Sequence, residues 1–150
     1  MSQVDPMLLR QIIMDHYEYP RNHELTDQAG YLSKRMNSAS CIDDITVQAK
    51  IEDGIIKDVR FAGVACTIST ASTSIMTELV KDKPIKDAEL IMQNYFMMVD
   101  QKSYDEDLLE EAIAFQNVGK QANRINCATI GWRALRSLIK ESQGDIDGKE

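Results

Sequence analysis

The sequence predicts an α+β fold, a three-stranded antiparallel sheet with helices packed on one face, and three observations predict it. Apolar and polar residues alternate over residues 45–52 and again from Ile55, which is the period of half-buried strands. Asp53-Gly54 separates those two runs, and this dipeptide suits a type I′ hairpin because both central residues need positive φ. Beyond Cys66 the apolar residues recur at helical spacing instead. Strands that follow one another without an intervening helix pair as an antiparallel meander. Helices gathered after them bury their apolar stripes on the sheet.

The elements follow in order. Asp5 before Pro6 marks a helix start, an N-cap residue with proline in the first helical position. Leu9, Ile12, Ile13 and Tyr17 recur at helical spacing, so this helix runs to about Tyr17, and Pro20 ends it. From Gly30 to Asn37, Leu32, Lys34 and Met36 alternate with Tyr31, Ser33 and Arg35, giving a first strand. Ile45, Val47, Ala49 and Ile51 alternate with Thr46, Gln48, Lys50 and Glu52 in the second, and Ile55 to Phe61 return as the third. Gly63 breaks that strand. Ile68, Ala71, Ile75 and Leu79 place a helix from Cys66 onward. Asp82-Lys83-Pro84 is a turn, and Ala88, Ile91, Met92, Tyr95, Phe96 and Val99 give another amphipathic helix. Asp105 to Phe115 reads as a further, acidic helix. From about Cys127, the residues Ala128, Gly131, Trp132, Leu135 and Leu138 give a final helix ending near Lys140. No repeat or linker interrupts the pattern, so residues 1–150 read as one domain with a polar tail over 143–150 that frays.

Composition narrows the function classes. With 43% apolar and 27% charged residues, the chain has the profile of a soluble globular protein. No apolar run approaches the ~20 residues that cross a bilayer, and the N-terminus lacks the basic and apolar regions of a signal peptide. The expected location is the cytoplasm, with no membrane partner. A net charge of -7 argues against nucleic acid, whose phosphates need clustered Lys and Arg.

The three cysteines, Cys41, Cys66 and Cys127, are an odd number, which in a reducing compartment argues against a disulfide framework. Taken singly, each would be a small buried hydrophobe. All three, however, fall at predicted element ends: Cys41 in the loop between the first two strands, Cys66 and Cys127 at helix starts. Helix starts stabilise a thiolate through the dipole and the free N–H groups, and Arg124 adds a positive charge near Cys127. A zinc ion takes four donors from Cys, His, Asp or Glu. Asp43, one residue removed from Cys41, is the natural fourth donor. His16 and His23 are rivals, each read by default as a surface or capping residue, and Asp44 ranks below Asp43 because it directly precedes a strand. Met92, Met97 and Met98 read as helix packing, Trp132 as core, and Asp105-Glu106-Asp107 with Glu110-Glu111 as a solvated helix face.

Several segments resemble the IscU/NifU-like family of iron–sulfur cluster assembly proteins. Cys41-Ile42-Asp43 resembles that family's Cys-Gly-Asp loop. Gly63-Val64-Ala65-Cys66-Thr67-Ile68-Ser69 with Ala71-Ser72 resembles its Gly-x-x-Cys-x-Ile-Ser-x-Ala-Ser segment. Arg124-Ile125-Asn126-Cys127-Ala128-Thr129 with Trp132 and Ala134-Leu135 resembles its Arg-x-x-Cys-Ala-x-x-x-Trp-x-x-Leu segment. Ile13-Met14-Asp15-His16-Tyr17 with Pro20-Arg21-Asn22 is similar to its N-terminal helix and turn. The stretch from about Asp100 to Lys120 resembles the insertion that marks the SufU branch. Ile42 stands in place of a usual Gly, Ala65 of a Gly beside Cys66, and Asn126 of a usual Lys.

The resemblance implies an IscU-type fold (SufE/NifU-like) and a zinc ion on Cys41, Asp43, Cys66 and Cys127. It implies a sulfurtransferase-like role as partner of a SufS-type cysteine desulfurase, passing persulfide sulfur to a SufBCD-type scaffold. The expected acceptor is Cys41, because a strand-connecting loop moves more cheaply than a helix start, with a desulfurase histidine taking its place on zinc. Arg124 would orient the transferred sulfur, with a surface salt bridge as the equal alternative. The IscU reading makes the same four positions the seat of a transient [2Fe–2S] cluster.

Overall fold

The computed structural model describes residues 4–37 and 42–144. Its elements are α1 (Pro6–Glu18), β1 (Tyr31–Asn37), β2 (Asp44–Glu52), β3 (Ile55–Val64), α2 (Thr67–Val80), α3 (Ile85–Val99), α4 (Glu106–Leu109) and α5 (Ala122–Ser142). Two 3₁₀ turns, Glu110–Phe115 and Val118–Lys120, lie between α4 and α5. The three strands form one antiparallel meander in the order β1-β2-β3, which is the expected α+β fold.

Local chemistry sets these elements. Asp5 caps α1, its carboxylate accepting the Met7 N–H at 2.9 Å, with Pro6 next in the helix. Asp53 (φ 54°) and Gly54 (φ 73°) turn β2 into β3 as a type I′ hairpin requires. One face of the sheet carries Ile45, Val47 and Ala49 of β2 beside Val59 and Phe61 of β3, all essentially without solvent exposure. The helices α2 and α5 cover it: α5 packs along β1 and β2, α2 against β3, and α1 rides on α2. Burying such side chains contributes roughly 1.5–3 kcal/mol each, so the helix layer and the sheet stabilise each other. Among the described residues no helix is long and apolar enough to cross a membrane.

The structure corrects four sequence expectations. β3 does not break at Gly63; it runs to Val64, with Gly63 paired to Ile45 and Val64 to Asp44. A side chain at position 63 would put its Cβ 2.1 Å from the Asp44 carbonyl oxygen, and φ is +133°. The glycine is there to let the strands close, not to end one. The acidic stretch is not one helix, because Glu110 adopts φ 46°, ψ −122° and splits it. The last helix begins at Ala122 rather than near Cys127. On α1 the inner face is completed by His16, 1% exposed, whereas Tyr17 is 41% exposed. The frayed tail expected over 143–150 lies mostly outside the described residues.

Candidate metal centre

Continuation of β3 past Gly63 decides where Cys66 goes. The pairing of Asp44 with Val64 carries the chain two residues further and sets Cys66 beside Asp43. The Cys66 N–H donates to Asp43 Oδ1 at 2.8 Å, and the Cys66 thiol lies 3.9 Å from Oδ2. Cys66 is the N-cap of α2, its sulfur accepting the Ser69 N–H at 3.4 Å. The Ser69 hydroxyl donates to Asp43 Oδ2 in a short hydrogen bond. Asp43 is only 1% exposed, so both carboxylate oxygens are held by fixed donors in a buried position.

Cys127 arrives from α5. It lies in the second turn of that helix, past the residues whose N–H groups are free. It therefore lacks the helix-start advantage that its sequence position suggested. A buried polar knot fixes the neighbouring turn. Ser72 Oγ donates to the Ala128 carbonyl at 2.7 Å, the Tyr95 hydroxyl donates to the same oxygen at 2.6 Å, and Trp132 Nε1 donates to Ser72 Oγ at 2.9 Å. The Tyr95 and Trp132 rings stack with centroids 3.8 Å apart. This knot joins α2, α3 and α5 directly beside Cys127.

The ligand atoms of Asp43, Cys66 and Cys127 all lie within 4.8 Å of one another. Sulfur donors on a tetrahedral zinc with Zn–S bonds of about 2.3 Å sit about 3.8 Å apart. Closing the group onto one ion thus requires shifts of roughly an ångström at most. Burial pushes the Cys127 thiol up to about 12, and the adjoining Cys66 and Asp43 act in the same direction. Packing three acidic groups in one buried spot penalises each further negative charge. A divalent cation removes that penalty, and its uptake displaces thiol protons. Two sulfurs and a preorganised carboxylate are a donor set that suits zinc. Cys41, the fourth expected member, lies outside the described residues.

The rival ligands are elsewhere. Asp44 is engaged by the Arg35 guanidinium, Nε to Oδ1 at 2.8 Å and Nη2 to Oδ2 at 2.6 Å. His23 lies against the Phe61 ring. His16 is neither a surface nor a capping residue: it is buried, hydrogen-bonded to Ser74 and Glu111. Glu111 is thereby drawn out of the purely solvated acidic face the sequence suggested. Arg124 is exposed in the first turn of α5 and forms no ion pair among the described residues. With Arg10 it supplies the charge on a cleft of about 900 Å³ that opens onto Cys66 and is lined also by Ile13, Tyr17, Ile42 and Phe115. No acidic residue lines it among the described residues, in a chain of net charge -7.

Two contributors escaped the sequence reading. Ser69 was legible in principle, because Cys66-x-x-Ser69 has the spacing of an N-cap and its N3 partner. Arg10 carries no such signal. Asn126, where a Lys was expected, accepts a short hydrogen bond from the Arg133 guanidinium. A lysine there would set two cations together instead.

Fold and site define an α+β protein that gathers two thiols and one carboxylate, drawn from a strand lead-in and two helices, at one end of the sheet. Residues 8–145 match the NifU-like N terminal domain. The chain is 37% identical over 138 residues to the zinc-dependent sulfurtransferase SufU of Bacillus subtilis (strain 168), covering 91% of this chain and 92% of that protein. It is 36% identical over 132 residues to the iron–sulfur cluster assembly scaffold protein IscU of Streptococcus pyogenes serotype M1, covering 87% and 82%. The crystal structure of FiSufU, a SUF-system protein of the thermophilic Fervidobacterium islandicum AW-1, superimposes with a TM-score of 0.76 at 29% identity, covering 89% of this chain and 97% of that one. The chain belongs to the NifU-like N-terminal domain family of iron–sulfur cluster assembly proteins.

Proposed function

We propose that this protein is a zinc-dependent sulfur acceptor in iron–sulfur cluster assembly, working with a SufS-type cysteine desulfurase and a SufBCD-type scaffold in the cytoplasm. The observation that carries the proposal is the convergence of Asp43, Cys66 and Cys127 within 4.8 Å, in a chain similar to a zinc-dependent sulfurtransferase. Asp43, Cys66 and Cys127 hold the ion with Cys41 as fourth donor. Bound zinc keeps these thiols as thiolates and shields them from oxidation.

Cys41 accepts the sulfur. It lies between the last residue of β1, Asn37, and the first of β2, Asp44, whereas Cys66 caps α2 and Cys127 is locked by the α5 packing. The Cys41 thiolate attacks the terminal sulfur of the donor persulfide. A new S–S bond forms on Cys41, the donor's S–S bond breaks, and the donor cysteine leaves as thiolate. No net oxidation occurs. The same displacement, with a scaffold thiolate as attacker, passes the sulfur onward. Arg124, exposed on the cleft that opens onto Cys66, stabilises the anionic persulfide as it enters. The test is Cys41→Ala with a cysteine desulfurase: sulfur acceptance and desulfurase stimulation are lost. Stimulation by the variant at the wild-type level overturns the role of Cys41.

The similarity to IscU supports a second reading, in which the same donors carry a [2Fe–2S] cluster as cargo. Anaerobic reconstitution that gives a visible absorption band, followed by transfer of the cluster to an apo-protein, would favour it.

A further inference from the structure

The segment from Glu106 to Lys120 is joined to α1 by a hydrogen bond between Glu111 and the buried His16. It holds no long helix, only α4 and two 3₁₀ turns. Leu109, Ala112 and Phe115 anchor it in the core. Its backbone is strained at Glu110, a non-glycine residue at φ 46°, ψ −122°, a conformation that persists only where surrounding contacts enforce it. The next residue supplies one such contact. The Glu111 carboxylate lies 2.8 Å from His16 Nε2, and His16 Nδ1 lies 2.8 Å from Ser74 Oγ.

Ser74 Oγ, which pairs with His16 Nδ1, also accepts the Arg21 backbone N–H at 2.8 Å. The Glu111 carboxylate can only accept, so His16 Nε2 donates to it. Ser74 of α2, His16 of α1 and Glu111 of the 3₁₀ turn thus form one line of hydrogen bonds across three elements.

That line ties together the two elements that wall the cleft beside Cys66. Arg10, Ile13 and Tyr17 of α1 form one wall, and Ala114, Phe115, Asn117 and Val118 of the segment form another. His16 belongs to the helix that supplies the first wall and Glu111 to the segment that supplies the second, although neither side chain itself lines the cleft. We infer that His16 is a positioning residue: by holding Glu111 it fixes the width of the cleft through which the donor's persulfide-bearing polypeptide segment reaches the thiol cluster. This inference rests on the sulfur-acceptor reading for its partner, but not for the clamp itself.

The test compares Glu111→Ala with Glu111→Gln in the full chain. The Glu111 side chain is 55% exposed, so neither change empties the core, and the Gln amide oxygen can still accept the His16 proton. Hydrogen exchange at the amides of residues 106–120 should speed up by roughly ten-fold or more in Glu111→Ala and stay near wild type in Glu111→Gln. In desulfurase stimulation, the half-saturating concentration of this protein should rise several-fold in Glu111→Ala, with the maximal rate kept and Gln restoring it. Unchanged exchange in Glu111→Ala overturns the clamp. Loosened exchange with an unchanged half-saturating concentration overturns the positioning role. Should the wild-type chain stimulate no desulfurase, the acceptor reading falls, and the exchange comparison still decides the clamp.

Discussion

The backbone N–H of Cys66 donates to the Asp43 carboxylate at 2.8 Å across a sequence separation of 23 residues. The bond exists because β3 pairs with β2 all the way to Val64 and Asp44. A thiol and a carboxylate from opposite ends of a hairpin are thereby held in fixed register, with the hairpin's length setting their separation. What looks like a sheet detail is the frame of the candidate metal centre.

Gly63 protects that register. Gly63→Ala would drive a Cβ into the Asp44 carbonyl at 2.1 Å and force an alanine to hold φ +133°. We expect a loss of at least about 2 kcal/mol in urea unfolding, with weakened zinc retention because Cys66 is pushed away from Asp43.

Ser69 supports two of the proposed ligands: its hydroxyl hydrogen-bonds Asp43 Oδ2 and lies 3.4 Å from the Cys66 sulfur. Ser69→Ala should lower zinc affinity by ~10–100-fold while leaving the fold intact. Titration against a chromophoric chelator measures this, and an affinity equal to wild type would remove Ser69 from the site.

Ser72 joins Trp132 Nε1 to the Ala128 carbonyl, and it is 1% exposed. Ser72→Ala leaves the buried indole N–H without its acceptor, a cost of about 1–3 kcal/mol. Thermal unfolding should show a melting temperature lower by roughly 2–12 °C for a chain of this size.

Acid sensitivity has a specific source in Asp58. Burial alone would raise its carboxyl, but hydrogen bonds from Tyr31 and Arg60 and the charges of Arg60 and Lys81 outweigh burial and hold it below its ordinary value. A carboxyl lowered on folding stabilises the fold fully above its unfolded value, and that contribution disappears as pH falls through the folded value. The stability difference between wild type and Asp58→Asn should be full at neutral pH and shrink below about pH 4. A difference that stays constant with pH would show that the Asp58 charge is not coupled to folding.

Much of the fold could be read from the chain, because period-two alternation and an Asp-Gly turn are local signals. Two of the errors involve a contact made far along the chain. Gly63 reads as a strand breaker until the Asp44 carbonyl opposite it is known. The acidic stretch reads as one helix until the chain is seen to turn at Glu110, beside the bond between Glu111 and His16. His16 itself was within reach, since Leu9, Ile12 and His16 share a helical face, but a titratable side chain was assigned to the surface. At the centre, residue types and motif order singled out Asp43, Cys66 and Cys127. Their distances, the donors fixing Asp43 and the cleft beside Cys66 depend on tertiary packing that no local pattern carries.

The most direct test is metal analysis of the purified chain and of its Asp43→Ala, Cys66→Ser and Cys127→Ser variants, each checked for a native circular dichroism spectrum. If these side chains meet on one ion, wild type carries about one zinc per chain and each folded variant loses most of it. Zinc retained at the wild-type level in folded Cys66→Ser or Cys127→Ser would contradict the proposed centre, and the sulfur-acceptor reading with it.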